Sequence, residues 1–232
     1  MSKVHPAAEN KCQTLLLKNH DDHNHLAHER PSVLTVWKRS SMSFQGTDGF
    51  TVFDNHGRLT FRVDNYSRKN SCVKGGLVLM DGAGKPLLTL KPQVFSIQYQ
   101  WNAYRGSEEG NTSSQRSTKV FSMRSKSLFF QNTDKNAEAE VFFERAHDQK
   151  VTDPKPDFRI EGCFWKRNCK IRNRIGEVVA NIARKKVNDR VLLGDDVFSL
   201  VVQPGFDAQL IMSFVIILDR ICGKPYAPVL CS

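Results

Sequence analysis

The feature that most constrains this chain lies near its C-terminal end. Leu210-Ile-Met-Ser-Phe-Val-Ile-Ile-Leu218 is apolar throughout except at Ser213, so as a helix it has no face to turn toward water. Such a helix reaches only about 14 Å, against roughly 30 Å of bilayer hydrocarbon. The run is too short to span a membrane and too apolar to lie on a surface, which leaves a helix enclosed by protein. Its boundaries are marked by Pro204-Gly205 and Asp207 in the first turn, and by Arg220, Gly223 and Pro225 at the end.

What encloses it is written upstream. From Val33 the apolar residues alternate with period two, the strand signal. One unit recurs. Phe50 to Val63 carries Asp54-x-x-Gly57 between two β-branched or aromatic runs. Leu77 to Leu90 carries Asp81-x-x-Gly84, and Lys170 to Ile182 carries Asn173-x-x-Gly176. Asp or Asn can bond the turn backbone, and Gly supplies the positive φ of a four- or five-residue hairpin loop. Further short strands are expected at Phe95–Tyr99, Val120–Arg124, Leu128–Gln131, Glu140–Glu144, Phe158–Phe164 and Val197–Val202. Gly106 to Thr118 and Ala146 to Pro156 read as polar loops. A sheet with this many antiparallel strands rarely stays open. A closed antiparallel β-barrel threaded by the apolar helix satisfies both observations.

At 232 residues the chain reads as one barrel domain, residues 33–222, between a polar tail (1–32) and a short tail (223–232). The first tail holds His20, His23, His25 and His28 but too few apolar residues to offset its ordering entropy. The start shows no secretory pattern. The cysteines at 12, 72, 163, 169, 222 and 231 form no CxxC and no metal-ligand spacing, so reduced thiols are expected. Cys163 and Cys169 suit core packing. These readings predict an intracellular protein, cytoplasmic or nuclear, or peripheral at the plasma membrane. No metal or cofactor is expected, and no motif pairs a nucleophile with a base. Asp195-Asp196 reads as a turn ahead of a strand.

Charge is the clearest functional signal. Net charge is +10, and Trp165 to Arg190 holds nine basic residues against two acidic ones. Within it Lys166, Lys170, Arg172 and Arg174 share one parity along an extended segment, which aims them at one face of a strand. Trp165 and Ile171 have the opposite parity and are expected inside. Trp37 is expected in the barrel core, with a ring set beside Lys38 and Arg39 at a membrane interface as the alternative. The row has two readings: a phosphate-binding face, in which Arg forks clasp phosphate, or a solvated outer strand. A concave patch would favour the first, and a flat strand paired by carboxylates the second. Arg184-Lys185-Lys186 is expected in a turn, and no recognition helix points to nucleic acid.

Several stretches carry a family resemblance: Asp48-Gly-Phe-Thr-Val-Phe-Asp54, Gly57 to Asp64, Leu79-Met-Asp81, Gly84 to Leu90 and Trp101. Leu193-Gly-Asp-Asp-Val-Phe-Ser-Leu200 followed by Pro204-Gly-Phe-Asp207 is the most specific. Over Val33 to about Ile221 the chain resembles the plant LURP-one-related (LOR) proteins, whose fold is Tubby C-terminal-like. The resemblance implies twelve strands around a central C-terminal helix. It also implies an association with plant defence, and Tubby-like and scramblase-like relatives that act at phosphoinositides and membranes. The expectation is a non-enzymatic domain that binds anionic phospholipid headgroups through Lys166, Lys170, Arg172 and Arg174. A protein-interaction scaffold with unknown partners, or a scramblase-like membrane protein, is the alternative.

Overall fold

A computed structural model describes residues 30–39, 49–65, 76–93, 99–106, 117–125, 137–144, 155–186 and 192–222. The expected strand at Leu128–Gln131, the His-containing tail and most of both polar loops fall outside these residues.

Twelve strands follow one another around a closed antiparallel barrel: β1 (Ser32–Arg39), β2 (Gly49–Phe53), β3 (Leu59–Asn65), β4 (Leu77–Asp81), β5 (Pro86–Pro92), β6 (Gln100–Arg105), β7 (Thr118–Ser125), β8 (Ala137–Phe143), β9 (Phe158–Cys163), β10 (Asn168–Asn173), β11 (Val178–Arg184) and β12 (Val197–Val202). Each pairs with its sequence neighbours, and β1 closes the circle on β12, with Ser32 opposite Val202 and Trp37 opposite Val197. Closure removes every sheet edge. The strand expected at Phe95–Tyr99 lies, apart from Tyr99, outside the described residues, and β6 begins at Gln100.

The helix α1 (Ala208–Cys222) runs through the interior, and every residue from Leu210 to Asp219 is buried. Asp207 stands one residue ahead of the helix rather than within its first turn. Its Oδ1 accepts the Gln209 N–H at 2.8 Å and its carbonyl accepts the Ile211 N–H at 3.0 Å, the work of an N-cap. Ser213 keeps its hydroxyl satisfied inside the helix, donating to the Leu210 carbonyl at 2.5 Å. Phe214 meets Phe121 edge-on at 5.0 Å and Phe158 at 5.4 Å, so aromatic packing joins helix to wall. No helix among the described residues is long and apolar enough to cross a membrane.

The winding gives the barrel two unlike ends. The β2–β3, β4–β5 and β10–β11 loops gather at the end where α1 begins, and all three are built alike. In each, the Gly N–H donates to the carbonyl of the Asp or Asn three residues earlier, at 3.0–3.1 Å. Gly57, Gly84 and Gly176 take φ of 76°, 93° and 91°, and each hairpin carries a register shift beside its loop. The acceptor side chain closes the loop: Asp54 Oδ1 takes the N–H groups of His56 and Arg58, Asp81 that of Lys85, and Asn173 that of Glu177. The loop N–H groups, that of Arg58 foremost, hold the Asp54 carboxyl below its ordinary pKa.

Candidate functional site

The cationic row divides when folded. Only Lys170 and Arg172 lie on β10, pointing outward while Cys169 and Ile171 face the core. Lys166 sits in the β9–β10 turn and Arg174 in the β10–β11 loop, so the four residues mark a column from one barrel end to the other rather than a single strand face. Arg172 is engaged. Its Nε donates to Glu161 of β9 at 2.8 Å, and its Nη1 donates to the Gly176 carbonyl at 2.8 Å. Lys166, Lys170 and Arg174 are exposed and form no ion pair among the described residues, although Glu161 stands opposite Lys170 in the β9–β10 register. The neighbouring Arg124–Glu140 contact, at 3.6 Å, continues a mixed-charge outer face toward β7. Glu161 thus removes Arg172 from the free row, and the other three cations remain.

The turn between β9 and β10 breaks the expected parity at Trp165. Trp165, assigned to the interior, is 55% exposed, whereas Arg167, one of the counted surface cations, is 5% exposed. An interior Trp165 requires the chain to stay extended from Trp165 to Ile171. In fact Phe164 to Arg167 form a tight turn, closed by the Arg167 N–H donating to the Phe164 carbonyl at 2.9 Å, with Arg167 at φ 50°. The Arg167 guanidinium lies between the rings of Phe164 (4.3 Å) and Phe198 (4.4 Å) and donates from Nε to the Asp195 carbonyl at 2.9 Å. Its Nη1 is buried with no hydrogen-bond partner among the described residues. Burial pulls its proton affinity down, and the nearby carboxylates, Asp219 first, pull it back up.

Asp219 is the centre of this end. It is 6% exposed, at the end of α1 opposite the hairpin loops, and takes a 2.8 Å ion pair from Lys38 of β1. Lys38 extends the inward row of Leu34 and Val36. Trp37 therefore faces out and is 46% exposed, contrary to the interior position expected of it. Asp195 and Asp196 form the turn ahead of β12, as anticipated, and Asp195 pairs with Arg184 at the end of β11. Of the Arg184-Lys185-Lys186 triplet only the last two lie past the strand, with Lys186 bridged to Leu192. Sequence reasoning missed the Lys38–Asp219–Arg167 group. The one available signal was a lone acid, Asp219, at the end of an otherwise apolar helix.

Cys169 is buried, and Cys163, expected with it in the core, is only half-buried because the two stand at adjacent register positions, Cys163 opposite Asn168 and Cys169 opposite Gly162. Burial, with Glu138 next, pushes the Cys169 thiol up to about 12. Burial and Glu138 likewise raise Cys222, whose Sγ lies 3.5 Å from Glu138 Oε2.

The match to the LURP-one-related family model runs over residues 32–219, from the first strand to the buried acid of the helix. The chain belongs to the LURP-one-related family. Among relatives from Arabidopsis thaliana, LURP-one-related 5 is 36% identical, covering 84% of this chain and 86% of its own length. LURP-one-related 8 is 32% identical over 95% of this chain and 97% of its own. An X-ray structure of an Arabidopsis thaliana protein superposes with a TM-score of 0.55 at 22% identity, over 83% of this chain and 92% of that one, and supports the fold alone. In this LURP-one-related barrel the exposed cations and the ionic group under the turn all lie within the residues matched to the family model.

Proposed function

We propose that this LURP-one-related barrel is a non-enzymatic module that attaches reversibly to anionic phospholipid headgroups. The observation that carries the reading is the column of Lys166, Lys170 and Arg174, exposed and without a carboxylate partner among the described residues, in a chain of net charge +10. Each cation near an anionic leaflet contributes about 1 kcal/mol, so the few that reach the surface together give weak, salt-sensitive attachment suited to a peripheral protein. Arg172, tied to Glu161 and Gly176, is withdrawn from the binding set and serves the β9–β10 pairing instead. A scramblase-like insertion of α1 has little support, since moving Leu210 to Leu218 into lipid requires opening a closed barrel. We place the attachment at the cytoplasmic side of the plasma membrane, in the stress or defence signalling with which the family is associated.

Flotation with phosphatidylcholine vesicles, alone and mixed with phosphatidylserine or phosphoinositide, at two salt concentrations tests the reading. Recovery should require the anionic lipid and fall with salt, and Lys170→Glu should lower it severalfold. Equal recovery with neutral and anionic vesicles would overturn it, and a stable protein partner captured without lipid binding would favour the scaffold alternative.

A further inference from the structure

We infer that the barrel meets the bilayer end-on, with the rim around the C-terminal end of α1 leading and Trp165 and Trp37 seated in the headgroup layer. This rests on the proposed membrane attachment and adds its orientation and its anchors.

The exposed large apolar side chains are not spread evenly. At the rim where α1 begins they are aliphatic: Val33, Leu59 and Ile175. At the opposite rim stand all the exposed aromatic ones among the described residues, Trp37, Tyr99 and Trp165, with Leu192. Trp and Tyr have an apolar body and a polar edge, and favour the boundary between headgroups and hydrocarbon over either phase alone. A bare aromatic rim would suit a protein partner equally. The charge around this one decides for an anionic surface, because Lys166 follows Trp165 in the same turn and Lys186 is bridged to Leu192, both exposed and neither with a carboxylate partner among the described residues.

The rim is also rigid where it needs to be. Trp165 and Lys166 occupy the tip of a turn whose two feet, Phe164 and Arg167, are buried. The Phe164–Arg167–Phe198 stack and the Arg167 bond to Asp195 hold that tip in place before any surface arrives. Little ordering entropy is then lost on contact. At the same end Lys38 neutralises Asp219 and Arg184 neutralises Asp195, which leaves Asp196 as the exposed carboxylate of that turn and reduces the negative charge facing the approach.

Orientation makes a graded prediction along the cationic column. Lys166 is in the rim turn and Lys170 near the start of β10. That strand is six residues, about 20 Å long, so Arg174, past its far end, stands well beyond the roughly 8 Å screening length of physiological salt from the leading rim. End-on docking therefore ranks Lys166 above Lys170, with Arg174 near zero; side-on docking weights the three alike.

The test uses the full chain with phosphatidylcholine–phosphatidylserine vesicles carrying brominated acyl chains. Bound protein should lose tryptophan emission, Trp165→Phe and Trp37→Phe should each remove part of that quenching and the double variant nearly all of it, while Trp101, buried in the barrel, supplies the unquenched remainder. Flotation of Lys166→Gln should fall about fivefold, the equivalent of one cation at the surface, and that of Arg174→Gln should be unchanged. Binding without quenching, or equal losses for Lys166→Gln, Lys170→Gln and Arg174→Gln, overturns the end-on orientation and leaves the membrane reading standing. No recovery of the wild-type chain with anionic vesicles overturns both. Because Trp165 and Lys166 are exposed, unchanged unfolding midpoints for their variants confirm that each loss is one of binding.

Discussion

The two ends of the barrel solve the same problem by opposite means. Where α1 begins, polar groups are satisfied by residues two to four positions away: Asp54 by His56 and Arg58, Asp81 by Lys85, Asn173 by Glu177. Where α1 ends, they are satisfied across the fold, Lys38 by Asp219 at a separation of 181 residues and Arg167 by Asp195 at 28. Local satisfaction makes modular loops that can be copied around a barrel. Distant satisfaction makes a plug whose parts depend on one another, and it leaves the rim above free to carry aromatic residues outward.

The largest effect should come from breaking the plug. Asp219→Ala leaves the partly buried Lys38 without its partner and the buried Arg167 without the carboxylate that most raises its proton affinity. With Lys38 27% exposed, the cost should fall below the roughly 3–5 kcal/mol of a fully buried pair, at about 2 kcal/mol. Denaturant unfolding should show it as a lowered midpoint at unchanged slope. Lys38→Met combined with Asp219→Leu should recover part of the loss, because an apolar pair of similar size avoids desolvating two charges. Strict additivity of the two single changes would show that the pair is not coupled and that the plug is only a set of neighbours.

A second test uses pH. The Cys169 thiol is raised by burial from 9.0 to about 12, so the folded state holds its proton more tightly than the unfolded one. Its contribution to stability is complete below pH 9.0 and is lost as pH rises toward about 12. The loss should run at about 1.4 kcal/mol per pH unit. Cys169→Ala should flatten the alkaline slope by that amount whatever its cost at neutral pH, and an unchanged slope would mean that the thiol is not shielded. At the other end the sign is reversed, since Asp54 is lowered from 3.8 and its contribution fades only as pH falls below that value.

The repeated loops should behave as independent modules. Asp81→Ala and Asn173→Ala each remove one side-chain acceptor from a loop N–H, worth about 1 kcal/mol, and their elements lie far apart on the barrel. The double variant should therefore lose the sum of the two in thermal or urea unfolding. Marked non-additivity would blur the contrast with the opposite end.

The same contrast explains what could be read in the amino acids alone. The strands, the Asp-x-x-Gly hairpins and the enclosed helix follow from patterns within about a dozen residues, and those were legible. Phe164 to Arg167 was not, because two strand-favouring aromatics hide a turn and a surface-type residue is held inside by Phe198 and Asp195, partners that only the closed barrel brings near. Trp37 was misplaced for a related reason: its neighbour Lys38 looks like the surface residue but turns inward to Asp219. The cationic row was legible as composition and parity, and its partition was not, since the pairing of Arg172 with Glu161 depends on the β9–β10 register.

The smallest expected effect separates the structural cation from the free ones. Arg172 and Glu161 are each about one-third exposed, so solvent screens their 2.8 Å pair and its net worth is about 0.5 kcal/mol. Arg172→Gln should shift the unfolding midpoint slightly and leave vesicle flotation unaltered, because the guanidinium is already committed to Glu161 and the Gly176 carbonyl. Lys170→Gln, two residues away on the same outward face, should do the reverse, with stability held and flotation reduced. Were Arg172→Gln to weaken flotation as much as Lys170→Gln, its pair with Glu161 would have to open at the membrane. The outer face of β10 would then act as one surface with the leading rim.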